Sequence, residues 1–219
     1  MAYTVTDTDL LKSCEYHLLE NGNANADGTT FLTSIWTPTK LVAWANDRQM
    51  RFLKETSLIV SRATVASFAS QNRYALPTDC ISNLRVAFEN TSGTIISLTR
   101  SDTWQLDSAL NDWETTAGTP VAWQESETPT LEFDVAPAPE DAGELTLLYV
   151  ALSTLLTGAG VVLSIPDEWA PYITWGILAD ALASDGEGCD PPRAAYAESR
   201  FNEGIELARV TLRGIGVAL

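Results

Sequence analysis

The sequence predicts an α+β protein, in which a helical bundle of about four helices is interrupted by an inserted antiparallel β region. Apolar residues recur at helical spacing towards both ends of the chain, whereas alternating segments separated by turn residues occupy the middle. The 219 residues, 45% of them hydrophobic, suffice for one sizeable domain with an insertion. We therefore expect a helical domain formed by 1–57 and 151–219, and a β domain at 58–150.

Two helices are predicted before the β region. The first is capped by Thr6 or Thr8 and runs to about Glu20. The second starts after Thr37, because Pro38 suits the first turn of a helix. Its inward stripe has helical spacing and consists of Leu41, Trp44, Ala45, Arg48, Phe52 and Leu53.

The β region reads as a hairpin followed by three further strands. "NLRVAFENTSGTIISLTR" predicts the hairpin, with its turn at Thr91-Ser92-Gly93. A short helix capped by Ser101 follows. The strands are "PVAWQE", "TLEFDV" and "ELTLLYV", the last two separated by the turn-rich "APAPEDAG".

The uncharged run from Leu145 to Pro166 is nearly as long as a membrane span. It contains Gly158 and Gly160, and neither end carries a Lys or Arg anchor. A buried strand followed by a loop is therefore the favoured interpretation, and no membrane partner is expected.

Two more helices are predicted at the end of the chain. One runs from about Asp167 to Ser184 and is apolar almost all round, which indicates burial. The other is capped by Asp190, with two prolines in its first turn.

Charge is distributed unevenly, with 29 acidic and 13 basic residues giving a net charge of -16. This balance argues against binding nucleic acid through its phosphates. No Lys or Arg occurs between Arg100 and Arg193, whereas the second helix carries four basic residues. The acidic stretch is either a solvated surface or one that repels a polyanion or meets a basic partner.

The sequence offers little chemistry. His17 is the one histidine, no phosphate-binding loop occurs, and the three cysteines lack metal-ligand spacing. Glu132 and Asp134 share one side of a predicted strand, and "NGNANADGTT" is a weak candidate calcium loop. We expect buried thiols in a reducing compartment, no metal, no cofactor and no enzymatic activity.

An ordered series of short motifs carries a resemblance to a known family. It includes "RYALPTDC", a Trp followed by Gly-x-Pro, and a Leu-x-Phe strand before Pro-x-Pro, and it covers about 70–213. The matching positions are Tyr74, Leu76, Pro77, Asp79, Trp113, Gly118, Pro120, Leu131, Phe133, Pro137 and Pro139. The chain thus resembles tailed-phage head-to-tail adaptors of the tail-tubular-protein-A type, although residues 21–34 match nothing in that family.

The resemblance implies a virion protein at the capsid–tail junction, assembled in the bacterial host cytoplasm. Such adaptors form a ring, usually of twelve copies, beneath the portal protein. They also contact tail nozzle or tube proteins, and DNA passes through the ring as cargo that is not bound.

Two sets of interaction residues follow as hypotheses. The basic second helix would meet the acidic stretch of a neighbouring copy, and the apolar C-terminus would dock on the portal. The proposed subunit interface is Lys40, Arg48, Arg51, Lys54, Asp180, Asp185 and Glu187. The proposed docking arm is Gly214, Ile215, Gly216, Val217, Ala218 and Leu219.

The alternative is a sugar- or protein-binding module that displays the β region. The seven tryptophans motivate it, because Trp104, Trp113 and Trp123 all fall within that region. Such a module would act alone, and mutation of its exposed tryptophans would abolish ligand binding.

Overall fold

The computed structural model describes residues 3–18, 35–110, 112–126 and 131–214. The helices are α1 (Asp7–Leu18), α2 (Pro38–Thr56), α3 (Thr103–Ala109), α4 (Ala170–Ala183) and α5 (Pro191–Gly214), with a 3-10 turn (Asp167–Trp169) before α4. The strands are β1 (Val60–Ser67), β2 (Arg73–Ala75), β3 (Cys80–Asn90), β4 (Ile95–Ser97), β5 (Thr99–Arg100), β6 (Ala117–Gly118), β7 (Ala122–Glu125), β8 (Glu132–Ala136), β9 (Ala138–Pro139) and β10 (Gly143–Ala151).

The mixed α+β class agrees with the prediction, and the chain divides into two compact units. Residues 1–59 and 152–219 form one unit, and residues 60–151 form the other. The sequence placed the insertion at 58–150. Among the described residues, no helix combines the length and apolar character that crossing a bilayer requires.

Local signals set the helix boundaries of the first unit largely as predicted. The Thr37 hydroxyl accepts a hydrogen bond from the Lys40 backbone N–H at 3.4 Å, and α2 ends at Ser57, whose φ is 55°. The Asp190 carboxylate caps α5 by accepting from the Arg193 N–H at 3.2 Å. The residue Thr6 precedes α1 and hydrogen-bonds Asp9.

The core of the first unit is one apolar cluster formed by helices from both ends of the chain. α4 contacts α1, α2 and α5. Its buried face is wide and includes Ile173, Ile177, Leu178 and Leu182. α1, α2 and α5 contribute Leu10, Leu11, Cys14, Leu41, Phe52, Leu53, Phe201 and Ile205.

Two glycines let α4 and α5 approach each other closely. A Cβ at Gly176 would lie 2.9 Å from both the Arg48 stem and the Phe201 ring. A Cβ at Gly204 would lie 2.3 Å from the Tyr172 ring. Glycine therefore lowers the helix propensity at both positions but permits the close contact between the helices.

Side chains from α1 and α2 hold the loop that follows β10. The Asp7 carboxylate accepts hydrogen bonds from the backbone N–H groups of Thr157, Gly158, Gly160 and Val161 at 2.6–3.0 Å. Asp7 is buried, so these bonds replace its hydration.

Two amides on α2 fix the rest of the same loop. Asn46 bonds both backbone groups of Leu156, at 2.8 and 3.0 Å. Gln49 accepts from the Ser164 N–H and donates to the Thr154 carbonyl. A buried strand followed by a loop is confirmed here, since β10 ends at Ala151.

The described residues of the second unit form two four-stranded sheets and a small two-stranded one. The first sheet has the order β1-β10-β3-β4 and is antiparallel throughout. The second has the order β2-β8-β7-β5, and β6 pairs with β9. The prediction of an antiparallel region is incomplete, because the short β5–β7 and β6–β9 pairings are parallel.

The predicted hairpin forms between β3 and β4, and its turn lies at Thr91-Ser92-Gly93. The predicted cap of α3 is wrong by one residue. Asp102, not Ser101, accepts from the Gln105 N–H, at 2.8 Å. A carboxylate acceptor is available at the next position, while the Ser101 hydroxyl bonds the Gln105 side chain instead.

Removing the Asp7 carboxylate should destabilise the first unit. Asp7→Ala leaves four N–H groups without their acceptor, and we expect a loss of about 2–4 kcal/mol in the free energy of unfolding. Asp7→Asn keeps one acceptor oxygen and should lose roughly half of that. Urea titration followed by circular dichroism measures both values. An Asp7→Ala variant within about 0.5 kcal/mol of the wild type would contradict this role.

Candidate interaction surfaces

The main charged cluster of the first unit joins α2, α4 and α5. The Arg48 guanidinium donates two hydrogen bonds to Asp180, at 2.6 and 2.7 Å, and a third to Glu198 at 2.5 Å. Arg51 bonds Glu198 at 2.7 Å and Glu55 at 2.8 Å. We call Arg48, Arg51, Asp180, Glu198 and Glu55 the arginine cluster.

Packing explains why Arg48 lies on the inward stripe of α2. Its stem runs past Gly176, where a side chain would collide with it, and its guanidinium lies 4.9 Å from the centre of the Phe201 ring. Its side chain is 11% exposed, so the three hydrogen bonds to carboxylates compensate the charge.

Glu198 responds electrostatically to the two arginines. Partial burial acts to raise its pKa, but hydrogen bonds from Arg51 and Arg48 and their positive charges outweigh burial. The pKa of Glu198 therefore lies below its ordinary value, and the carboxylate stays ionised at neutral pH.

The predicted subunit-interface residues fall into two groups. Arg48, Arg51 and Asp180 make their ion pairs within the chain, so these pairs are available without a neighbouring copy. The other four, Lys40, Lys54, Asp185 and Glu187, are exposed, and the described residues give them no ion-pair partner. The contact with a neighbouring copy stays a prediction for the whole set.

The four exposed charges of the predicted interface lie near the two ends of α2. Asp185 and Glu187 belong to the loop after α4, which packs against Trp36 just before α2 begins. Lys40 is in the first turn of α2, and Lys54 is in the last. At 1.5 Å per residue, Lys54 is roughly 25 Å from the start of the helix.

Among the described residues, the side chains that the sequence offered as candidates for catalysis have structural roles. Asp134 is buried and receives two hydrogen bonds from Arg73, at 2.7 and 3.3 Å, and Glu132 lies 4.0 Å from the same arginine. Arg73 thus compensates the negative charge of Glu132 and Asp134. His17 packs edge-on against Tyr16 and beside Trp175.

Metal ligands do not converge either. Within the described ranges, no group of three or more His, Cys, Asp or Glu side chains has the arrangement of a metal site. The calcium-loop candidate at 21–30 lies outside these ranges. Burial raises the pKa of the Cys14 thiol to about 12, and together with nearby acids it raises that of Cys80 to about 11. Cys189 is exposed, contrary to the expected burial.

The tryptophans of the second unit do not form a common platform. Trp113 and Trp123 are buried, whereas the Trp104 side chain on α3 is 83% exposed. A sugar-binding face would require several aligned, exposed aromatic rings, and these three residues offer one.

An open groove of about 270 Å³ crosses the outer face of the first sheet. Arg62 on β1, Leu148 on β10 and Arg85 on β3 lie side by side in register, and Thr146, Ala87, Glu89 and Ile95 complete the lining. Sequence reasoning missed this groove because strand order was unknown. The row of Arg62, Leu148 and Arg85 becomes visible only when β1 is known to pair with β10, and β10 with β3.

The docking arm cannot be placed in full. Gly214 is the last residue of α5, and residues 215–219 lie outside the described part of the chain. Their docking role stays a prediction.

Comparison with known proteins assigns the family. The profile of the SU10 adaptor protein family matches residues 9–216, which is nearly the whole chain. No curated protein matches the chain in sequence. Among solved structures, a chain in the neck of an empty GTA particle is 12% identical over 92% of each chain, with a TM-score of 0.31.

Charged surfaces and an open groove are the features that the described residues present. The chain belongs to the SU10 adaptor protein family. It is a structural component of a bacteriophage virion, a head-to-tail adaptor, and not an enzyme. The predicted family resemblance is thereby confirmed.

Disrupting the arginine cluster should cost far more stability than removing an exposed ion pair. Arg48→Ala leaves Asp180 partly buried without its cation and removes one of the two arginines that bind Glu198, and we expect a loss of about 2–3 kcal/mol. Arg200→Ala, which breaks the exposed Arg200–Glu203 pair on α5, should change stability by less than about 0.5 kcal/mol. Urea unfolding of both variants gives the comparison, and equal losses would contradict it.

Proposed function

We propose that the chain forms a closed ring of twelve copies beneath the portal, joins the capsid to the tail and lets DNA pass without binding it. Its four long helices would form the bundle that contacts neighbouring copies. Its partners would be the portal protein, tail nozzle or tube proteins, and other copies of itself. Family membership supports the adaptor role, and the chain's unpaired charges support the ring.

The observation that carries the ring is that Lys54 lies at the end of α2 away from Asp185 and Glu187, and that the described residues give none of these three an ion-pair partner. Lys54 lies at one end of α2, and the loop with Asp185 and Glu187 lies beside the other end. Two different surfaces on one subunit are what a head-to-tail contact needs, and such a contact closes when the rotation between copies closes.

The acidic middle of the chain supports passage of DNA as cargo. Residues 101–192 contain acids but no Lys or Arg, so a ring lined by this stretch would repel phosphates and not retain them. Assembly would take place in the bacterial cytoplasm, in keeping with three cysteines that form no disulfide.

A charge swap tests the ring contact. Lys54→Glu, and separately Asp185→Lys with Glu187→Lys, should each reduce ring formation on portal complexes at least about tenfold, because like charges would meet. Combining all three changes should restore assembly. Lys12→Glu, at an exposed lysine on α1, is the matched control and should have no effect.

Negative-stain imaging and native mass spectrometry of portal complexes count the bound copies. Normal ring formation by the Lys54→Glu variant and by the Asp185→Lys/Glu187→Lys variant would refute this contact, as would failure of the combined variant to restore assembly. Rings with a different number of copies would refute only the value of twelve and would leave the contact standing.

We also propose that the apolar arm Gly214–Leu219 becomes ordered when it docks on the portal. Deleting 214–219 should weaken portal binding by about tenfold or more while leaving the thermal unfolding temperature unchanged, because Ala208 is the last core residue among the side chains that the structure describes. Biolayer interferometry against purified portal measures the affinity. Full affinity of the truncated chain would refute the role.

A further inference from the structure

Trp104 is exposed far beyond what a core-building aromatic residue would be. Its side chain is 83% accessible on α3, two residues after Asp102 and three residues before Asp107, both of which are exposed. An indole in contact with water is a costly surface element, and tryptophans of this kind are typical anchors of protein interfaces.

The groove on the first sheet presents the complementary chemistry. Arg62 and Arg85 flank the exposed Leu148 in one cross-strand row. Among the described residues, Arg62 has no hydrogen-bond or ion-pair partner, and Arg85 makes one hydrogen bond, to Ser97 at 3.3 Å. Two cations held beside an apolar floor suit an aromatic ring that has carboxylates next to it.

The opposite end of the groove has a second exposed apolar side chain, and it carries negative charge where the first end carries positive charge. Ile95, 63% exposed, lies opposite Glu89, and Glu89 lies opposite Glu144. Like charges directly across a strand pair destabilise a sheet, so Glu89 and Glu144 repel each other. At the other end, Arg62 and Arg85 concentrate positive charge on either side of Leu148. A partner whose acids reach the arginine end would compensate these two cations, and Asp102 and Asp107 would do so.

We infer that Trp104 of one copy inserts into the groove of a neighbouring copy, with Asp102 and Asp107 facing Arg62 and Arg85. The inference rests on the proposed ring and names a contact within it. Trp104 and the groove lie on the same unit and share no residue. A head-to-tail contact therefore uses each of them once per copy and continues around the ring.

Cross-linking in assembled particles tests the contact. In a Cys189→Ser background, Ser108→Cys is placed on α3 and Thr64→Cys at the edge of the groove; both positions are exposed. A short bismaleimide should link the double variant into a ladder that extends beyond two chains. Either single-cysteine variant should remain unlinked, because its cysteine faces a surface of the neighbouring copy that carries no introduced cysteine.

A product that stops at two chains would mean a two-fold pair and would overturn the head-to-tail contact. Links to another particle protein would mean that a tail component occupies the groove. Absence of any link, in particles that contain rings of this chain, would overturn the inference while leaving the ring intact. Particles without such rings would overturn both.

Side-chain removal gives an independent measure. Trp104→Ala should lower incorporation into particles at least about tenfold. Phe68→Ala removes another exposed aromatic ring of the same unit, 57% accessible, and is the matched control with no expected effect. Both purified variants should unfold at the wild-type temperature, since neither side chain is buried. Equal incorporation of the two variants would overturn the role of Trp104.

Discussion

The helical unit depends on how one arginine is accommodated between three helices. Arg48 projects from the inward stripe of α2, where an apolar residue would be expected, and its charge needs acceptors from α4 and α5. Asp180 and Glu198 provide them, and Gly176 leaves space for the stem. Gly204 allows a second close approach between α4 and α5, because a Cβ at this position would collide with the Tyr172 ring.

The sequence was informative wherever a structural decision is made by neighbouring residues. The start of α2 follows from Thr37 and Pro38, and the β3–β4 turn follows from a short polar run between two alternating segments. Even there, competing neighbours limit precision. Ser101 and Asp102 are both good caps, and only the folded backbone selects the carboxylate.

Features that join distant parts of the chain could not be read in this way. Asp7 is one of 29 acids in the sequence, and its role appears only when the loop at 157–161 turns four N–H groups towards it. Arg48 was predicted as an interface residue because it is one of four basic residues on the second helix. Its partners are 132 and 150 residues away, beyond any local pattern. The groove and Trp104 likewise acquire meaning from strand order and exposure.

The insertion begins and ends on paired strands, and this has a consequence for how the family can vary. Val60, the first residue of β1, lies opposite Val150 near the end of β10, so the two connections to the helical unit are neighbours. The loop that follows is held by Asp7, Asn46 and Gln49, all from the helical unit itself. A recombination event at these two points can exchange the whole β unit in one step. The helical unit keeps every side chain that fixes its own loop, so evolution or an engineer can treat the insertion as a cassette.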